Sequence, residues 1–139
     1  MAYWLIKSEP GTWSWDEQVK AGAKGTAWTG VRNHAAKLNL MRMKKGDRCF
    51  FYHSNEGKEI IGIAEVIKEH YTDPTDKTEK FVCVDVKARE QLKAPVTLAQ
   101  VKLEPKLKNM ALIKLSRLSV QPVTDAEWST VCKLGGVKP

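Results

Sequence analysis

The stretch Arg48-Cys49-Phe50-Phe51-Tyr52-His53-Ser54-Asn55-Glu56-Gly57-Lys58-Glu59-Ile60-Ile61-Gly62-Ile63-Ala64-Glu65-Val66-Ile67 decides the fold class. Two runs of branched and aromatic residues flank Asn55-Glu56-Gly57, a set of turn formers, and the pattern is that of a β-hairpin with strands over 48–53 and 59–67. Gly62, inside the second run, marks a bulge or a close backbone approach. Downstream, Phe81 to Lys87 alternates, with Val82, Val84 and Val86 on one face, and predicts a third strand of the same sheet. Upstream, residues 2–7 are apolar without clean alternation, as in a strand covered on both sides, and Ser8-Glu9-Pro10-Gly11 breaks it. Leu118 to Val123 reads as a last strand.

Short helices separate these runs. Ser14/Glu17, Thr97/Gln100 and Thr124/Glu127 each have capping-box spacing, in which a hydroxyl accepts from the backbone three residues on and the longer side chain reaches back. A further helix is predicted over about Val31 to Met43, stopped by Lys44-Lys45-Gly46-Asp47, and a helical turn over Asn109 to Leu115. Gly135-Gly136 ends the last helix. Strands interrupted by short helices, with hairpin returns and no βαβ rhythm, give the class α+β: a curled, mainly antiparallel sheet or small barrel with short helices around it. No repeat, low-complexity tract or linker divides residues 1–139, which are read as a single domain.

With 139 residues, 42% hydrophobic and 28% charged, the chain is sized for one core and is too apolar for disorder. No apolar run approaches the roughly 20 residues needed to cross a bilayer, and no charged leader precedes an apolar signal segment. The expectation is a protein of the cytoplasm, or of the nucleus in a eukaryote, with no membrane partner. Cys49, Cys83 and Cys132 are odd in number and widely spaced, so neither a disulfide framework nor a zinc site is expected.

Lys plus Arg number 23 against 16 Asp plus Glu, a formal charge of +7. Fixed cations attract phosphates and release counterions, so the excess favours a polyanionic partner. It is also uneven. Lys37, Arg42, Lys44, Lys45 and Arg48 face one acid, Asp47, and Lys102, Lys106, Lys108, Lys114 and Arg117 surround Glu104, whereas the balance reverses between Ser54 and Glu79. One electropositive face and one acidic hairpin region are predicted, a solvated surface being the plain alternative.

Three polar segments interrupt apolar stretches near strand ends: Lys7-Ser8-Glu9-Pro10, Trp28-Thr29-Gly30-Val31-Arg32-Asn33 and Tyr52-His53-Ser54. A pocket assembled from them takes aromatic walls from Trp28 and Tyr52 and hydrogen-bonding groups from Ser8, Glu9, Asn33, His53 and Ser54. That mixture suits a planar heteroaromatic ligand, because aromatic faces stack on a ring while polar groups read its edge. Of Trp13 and Trp15, which flank the Ser14 cap, one is suited to packing and the other to covering a pocket mouth. Arg117 is placed to meet a phosphate or a carboxylate such as Glu9. The histidines lack metal-ligand spacing, and no nucleophile elbow or phosphate-binding glycine loop occurs, so no catalytic residue, metal or cofactor is assigned.

The segments Tyr3 to Pro10, Trp28 to Asn33, Gly46 to Ser54 and Ser116 to Val123, taken in order, resemble the EVE domain of the thymocyte nuclear protein family in the PUA-like superfamily. The likeness spans nearly the whole chain, with His34 where the family often has an aromatic after Val-Arg-Asn. It implies a five-stranded curled barrel core, a cleft related to that of YTH readers of methylated adenine, and recognition of modified bases in DNA or RNA without catalysis. Carried over, the ligand site comprises Ser8, Glu9, Trp28, Val31, Asn33, Tyr52, His53, Ser54 and Arg117. Arg32, Lys37, Arg42, Lys44 and Lys45 are assigned to the nucleic-acid backbone. The expected function is a non-enzymatic reader of 5-methylcytosine-type or N6-methyladenine-type bases; the alternatives are a nucleotide-metabolite sensor using the same cleft and an enzyme acting through Glu9 or His53.

Overall fold

In the computed structural model, which describes residues 1–139, six strands form one mixed sheet: β1 Tyr3–Ser8, β2 Thr26–Ala27, β3 Arg48–His53, β4 Glu59–Thr72, β5 Val82–Thr97 and β6 Val120–Val123. Five helices pack around it: α1 Trp15–Lys20, α2 His34–Arg42, α3 Leu98–Leu103, α4 Ala111–Lys114 and α5 Asp125–Gly135. No helix is long and apolar enough to cross a membrane. The strand order is β2-β5-β4-β3-β1-β6. The α+β class and the predominance of antiparallel pairing match the sequence reading, but the sheet has six strands rather than five and does not close.

One pairing departs from the expected absence of a crossover. Strand β1 runs parallel to β3, Leu5 opposite Phe50, and antiparallel to β6, Leu5 opposite Gln121. The first strand therefore lies inside the sheet, and its Trp4, Leu5 and Ile6 are all buried. Side chains alternate across it: Ile6, Phe51, Trp15, Trp28 and Leu40 pack on one face, and Leu5, Phe50, Tyr52 and Trp128 on the other. On that second face Trp128 stacks on Phe50 with ring centres 3.9 Å apart and on Tyr3 at 4.3 Å.

All three capping boxes form, at Ser14/Glu17, Thr97/Gln100 and Thr124/Glu127. Helix α2 is shorter than predicted because Asn33 is its cap: the backbone there is extended and Oδ1 accepts from the Ala36 N–H at 3.0 Å. Strands β4 and β5 run past the predicted limits, to Thr72 and Thr97. Their outer parts are largely solvent-facing, so the apolar alternation fades while the backbone ladder continues. The hairpin's register slips opposite Gly62, as the glycine suggested, because the Trp15 ring presses against the strand at that point.

Asp47 is buried and ties the entry to β3 to the start of the chain. It accepts from Ala2 N–H at 3.1 Å, from Trp4 Nε1 at 3.0 Å and from Lys44 N–H at 3.0 Å. The free thiols Cys49, Cys83 and Cys132 are buried and pack as small apolar groups.

Candidate functional site

A cleft of about 580 Å³ opens at the end of β1. One side is the strand end itself, Lys7, Ser8 and Glu9, with Thr12 and Trp13 from the turn that follows. The opposite side is β2 and the loop after it, from Thr26 to Arg32, and Ser119 completes the lining. Two hydrogen-bond systems hold these walls. The Ser8 hydroxyl donates to the Trp13 carbonyl at 2.5 Å, and Trp13 Nε1 donates to Gln18 Oε1 at 2.9 Å. Gln18, fully buried on α1, spends its amide nitrogen on the Val86 carbonyl at 3.2 Å. The Trp28 N–H bonds to the Val84 carbonyl at 2.7 Å, which fixes the second wall to β5.

The aromatic groups divide by role. Trp15 is a core residue, edge-on to Phe51 at 5.3 Å, whereas the half-buried Trp13 lines the cleft. Trp28 also lines the cleft, yet only 7% of it is exposed and its ring stands edge-on to Phe51 at 5.4 Å. It is therefore both a wall and a core side chain.

Of the residues read as a ligand site, Ser8, Glu9, Trp28 and Val31 come together here. The others lie off the lining, and each has a different structural engagement. Asn33 caps α2. Tyr52 is buried on the other face of the sheet. His53 points its Nε2 at the Trp15 N–H, 3.0 Å away, where it must be an acceptor. Burial lowers its pKa, against the smaller opposing effects of Glu59 and Asp16, so the neutral ring that this bond needs is favoured. Ser54 joins the β1 end through its N–H, which donates to the Ser8 carbonyl at 2.9 Å. Arg117 is exposed in the turn before β6 and forms no ion pair. That turn is closed by Gln121, whose Nε2 donates to the carbonyls of Leu115 and Leu118.

Five polar lining residues, Lys7, Thr12, Thr26, Thr29 and Ser119, lay outside the sequence-based choice of ligands. Lys7 donates from Nζ to the Ser116 carbonyl at 2.5 Å, and burial lowers its pKa. A lysine ending an otherwise apolar buried strand was the available signal. Thr29 and Ser119 fall inside segments the sequence singled out, Trp28 to Asn33 and Ser116 to Val123, but as small polar loop residues they do not stand out from their neighbours there. Glu9 keeps one carboxylate oxygen on Asn55 Nδ2 at 2.7 Å, which orients it without neutralising it. No group of three His, Cys, Asp or Glu side chains is placed to hold a metal ion.

The basic residues separate in the same way. Arg32 is on the cleft rim, with Lys37 near it over the Phe81 ring. Arg42, Lys44 and Lys45 instead border a shallower hollow of about 340 Å³ with Met1, Ala2 and Asp47. That hollow is at the other end of β1, a strand about 17 Å long at 3.3 Å per residue.

An open mixed sheet with a polar and aromatic cleft at the end of its interior first strand is a fold of the PUA-like type. The chain belongs to the EVE domain family, whose pattern matches residues 2–134. It is similar to a Rhodopseudomonas palustris protein solved by NMR, at 68% identity over 98% of this chain and 94% of that one, with a TM-score of 0.93. An Agrobacterium tumefaciens protein is 48% identical over 99% and 94% of the two chains, with a TM-score of 0.95. Human THYN1, crystallised in complex with DNA containing 5-methylcytosine, is 34% identical over 100% of both chains, with a TM-score of 0.88.

Proposed function

We propose that this chain is a non-enzymatic reader that takes a modified nucleobase of DNA or RNA into the cleft at the end of β1. The observation that carries this reading is the pairing of two tryptophans, Trp13 and Trp28, with the polar groups of Lys7, Ser8, Glu9 and Ser119 in one concavity. The likeness to human THYN1, which was crystallised with 5-methylcytosine-containing DNA, supports it. A base hidden in a duplex must be extruded or presented on a single strand, at a cost of a few kcal/mol. Contact with aromatic side chains offsets about 1–3 kcal/mol of that for each stacked base. A methyl-sized group adds only about 0.8 kcal/mol of burial, so discrimination rests on cleft shape and on polar groups left unpaired by the wrong base. Of the two residues an enzyme reading would use, His53 is off the lining with its Nε2 bonded to the Trp15 N–H, which leaves Glu9 alone on the cleft.

The test is equilibrium binding to matched single- and double-stranded DNA and RNA carrying cytosine, 5-methylcytosine, 5-hydroxymethylcytosine, adenine or N6-methyladenine, at two salt concentrations. A preference of about tenfold, or 1.4 kcal/mol, for one modified base is the expected result and names the ligand. Uniform, salt-sensitive binding would reject the base-reading role. Salt-insensitive binding confined to free nucleosides would assign the cleft to a metabolite.

A further inference from the structure

The loop between β4 and β5 reaches across to the cleft wall through one buried carboxylate. Asp73 Oδ2 accepts from the Gly30 N–H at 2.8 Å and from Arg32 Nη1 at 3.0 Å, and the Asp73 side chain is completely buried. Arg32 continues the connection: Nη2 donates to Thr75 Oγ at 2.9 Å, Nη1 also to the Val31 carbonyl at 3.1 Å, and the guanidinium sits 5.6 Å from the Phe81 ring centre. The loop is itself braced. Asp73 Oδ1 accepts from both the N–H and the hydroxyl of Thr75, and Asp76 accepts from the N–H groups of Thr78, Lys80 and Phe81. Gly30, at φ +86°, has no side chain to anchor it, so its position is set through its backbone.

The geometry points to Asp73 as the positioning residue of the cleft: by holding the Gly30 amide and the Arg32 guanidinium together, it fixes the Trp28–Arg32 wall at the width of its ligand. This deepens the base-reading proposal and rests on it. It also changes the part assigned to Arg32. A guanidinium with its charge opposed by a buried carboxylate and its Nη1 hydrogens committed is a structural clamp on the wall rather than a phosphate contact.

The two roles differ in salt dependence and in coupling. A phosphate contact contributes about 0.7–0.9 to the slope of log K against log salt, and a clamp contributes nothing. Two partners in one clamp are also non-additive when both are removed. Binding of a 5-methylcytosine oligonucleotide and its unmodified match is therefore measured for the parent, Asp73→Asn, Arg32→Gln and the double variant at several salt concentrations. Each single variant is expected to lose about fivefold or more in affinity and much of its discrimination. The double variant should lose no more than either single one, with the parent's salt slope. Loss confined to Arg32→Gln with a flattened slope, or parent-like binding by both variants, overturns the assignment.

Thr75→Val serves where Asp73→Asn does not fold: it removes the hydroxyl that accepts from Arg32 Nη2 and donates to Asp73 Oδ1, leaves the Gly30 and Arg32 bonds to Asp73 Oδ2 in place, and should weaken the clamp in the same direction by less. Hydrogen exchange separates failure of this inference from failure of the base-reading role. If the parent itself shows no base preference, faster exchange of the Gly30 amide in Asp73→Asn, with the Trp28 amide unchanged, still establishes the clamp. Equal exchange at Gly30 in the two proteins rejects it.

Discussion

The indole of Trp15 occupies the place where a side chain on Gly62 would begin: an ideal Cβ at Gly62 would lie 2.4 Å from Trp15 Cζ2. The ring is fully packed, edge-on to Phe51, and anchors α1 to the hairpin. Closeness of that order cannot be relieved by a rotamer change of a rigid buried ring.

Gly62→Ala is accordingly expected to destabilise the fold by about 1–3 kcal/mol through overpacking. Gly11→Ala, at a position with nothing within 4 Å and no positive φ, should stay within about 0.5 kcal/mol of the parent. Urea unfolding of the two variants beside the parent checks both, and equal midpoints would refute the close approach.

His53 makes stability depend on pH near neutrality. Its folded pKa is depressed by burial, so the unfolded chain binds more protons in the window below the ordinary histidine value of 6.5. The contribution is fully present above pH 6.5 and is lost as the pH falls through the folded value. His53→Gln retains an oxygen to accept the Trp15 N–H and should flatten the stability profile between pH 7 and pH 5. An unchanged slope in that variant would assign the titration elsewhere.

A second, more acidic window belongs to the loop that braces the cleft. Asp73 is buried, which alone would raise its pKa, yet the Thr75 hydroxyl, the Gly30 and Thr75 N–H groups and Arg32 together lower it. Asp76 is lowered as well, chiefly by the Thr78 hydroxyl, against an opposing effect of burial, with the Phe81, Thr78 and Lys80 N–H groups adding to the lowering. Both carboxylates contribute stability above the ordinary value of 3.8, and that stability is lost as the pH falls through their folded values. Denaturant midpoints should decline from pH 4 downward, less steeply in Asp76→Asn.

The thiols should be silent. Burial raises the pKa of Cys132 to about 11, with a smaller contribution from Glu90, and pushes those of Cys49 and Cys83 upward as well. The reactive thiolate is scarce at each site and shielded from reagent. A disulfide reagent at pH 8 is expected to label none of them rapidly in the native protein and all three after denaturation. Fast native labelling would contradict the packing.

Local signals made much of this fold legible. Capping boxes are satisfied by residues three apart, so Ser14, Thr97 and Thr124 could be read directly, and so could the hairpin turn at Asn55 and the special status of Gly62. What escaped depends on contacts distant along the chain. The parallel pairing of β1 with β3 leaves no periodic trace, and the two-residue β2 is too short to carry one. In the cleft, Ser8, Glu9, Trp28 and Val31 were legible as a polar and aromatic set at strand ends. Asn33 and His53 have the chemistry of ligands but lie off the lining, and Asn33 Oδ1 and His53 Nε2 accept from the Ala36 and Trp15 amides, engagements the sequence does not reveal. The hold of Asp73 on the cleft wall gave no sign, because Gly30 and Arg32 are more than 40 positions away; only its local bonds to Thr75 are near in sequence.

Strand β1 leaves the ribosome before both of its neighbours, residues 48–53 and 120–123, and is among the last elements of this fold to be completed. At about 5–20 residues per second, several seconds of synthesis separate Ser8 from β6. Until then the strand carries an open edge and the apolar side chains of Trp4, Leu5 and Ile6. Nascent chains halted before Val120 would thus be clients for chaperones, whereas the finished fold buries that liability between β3 and β6.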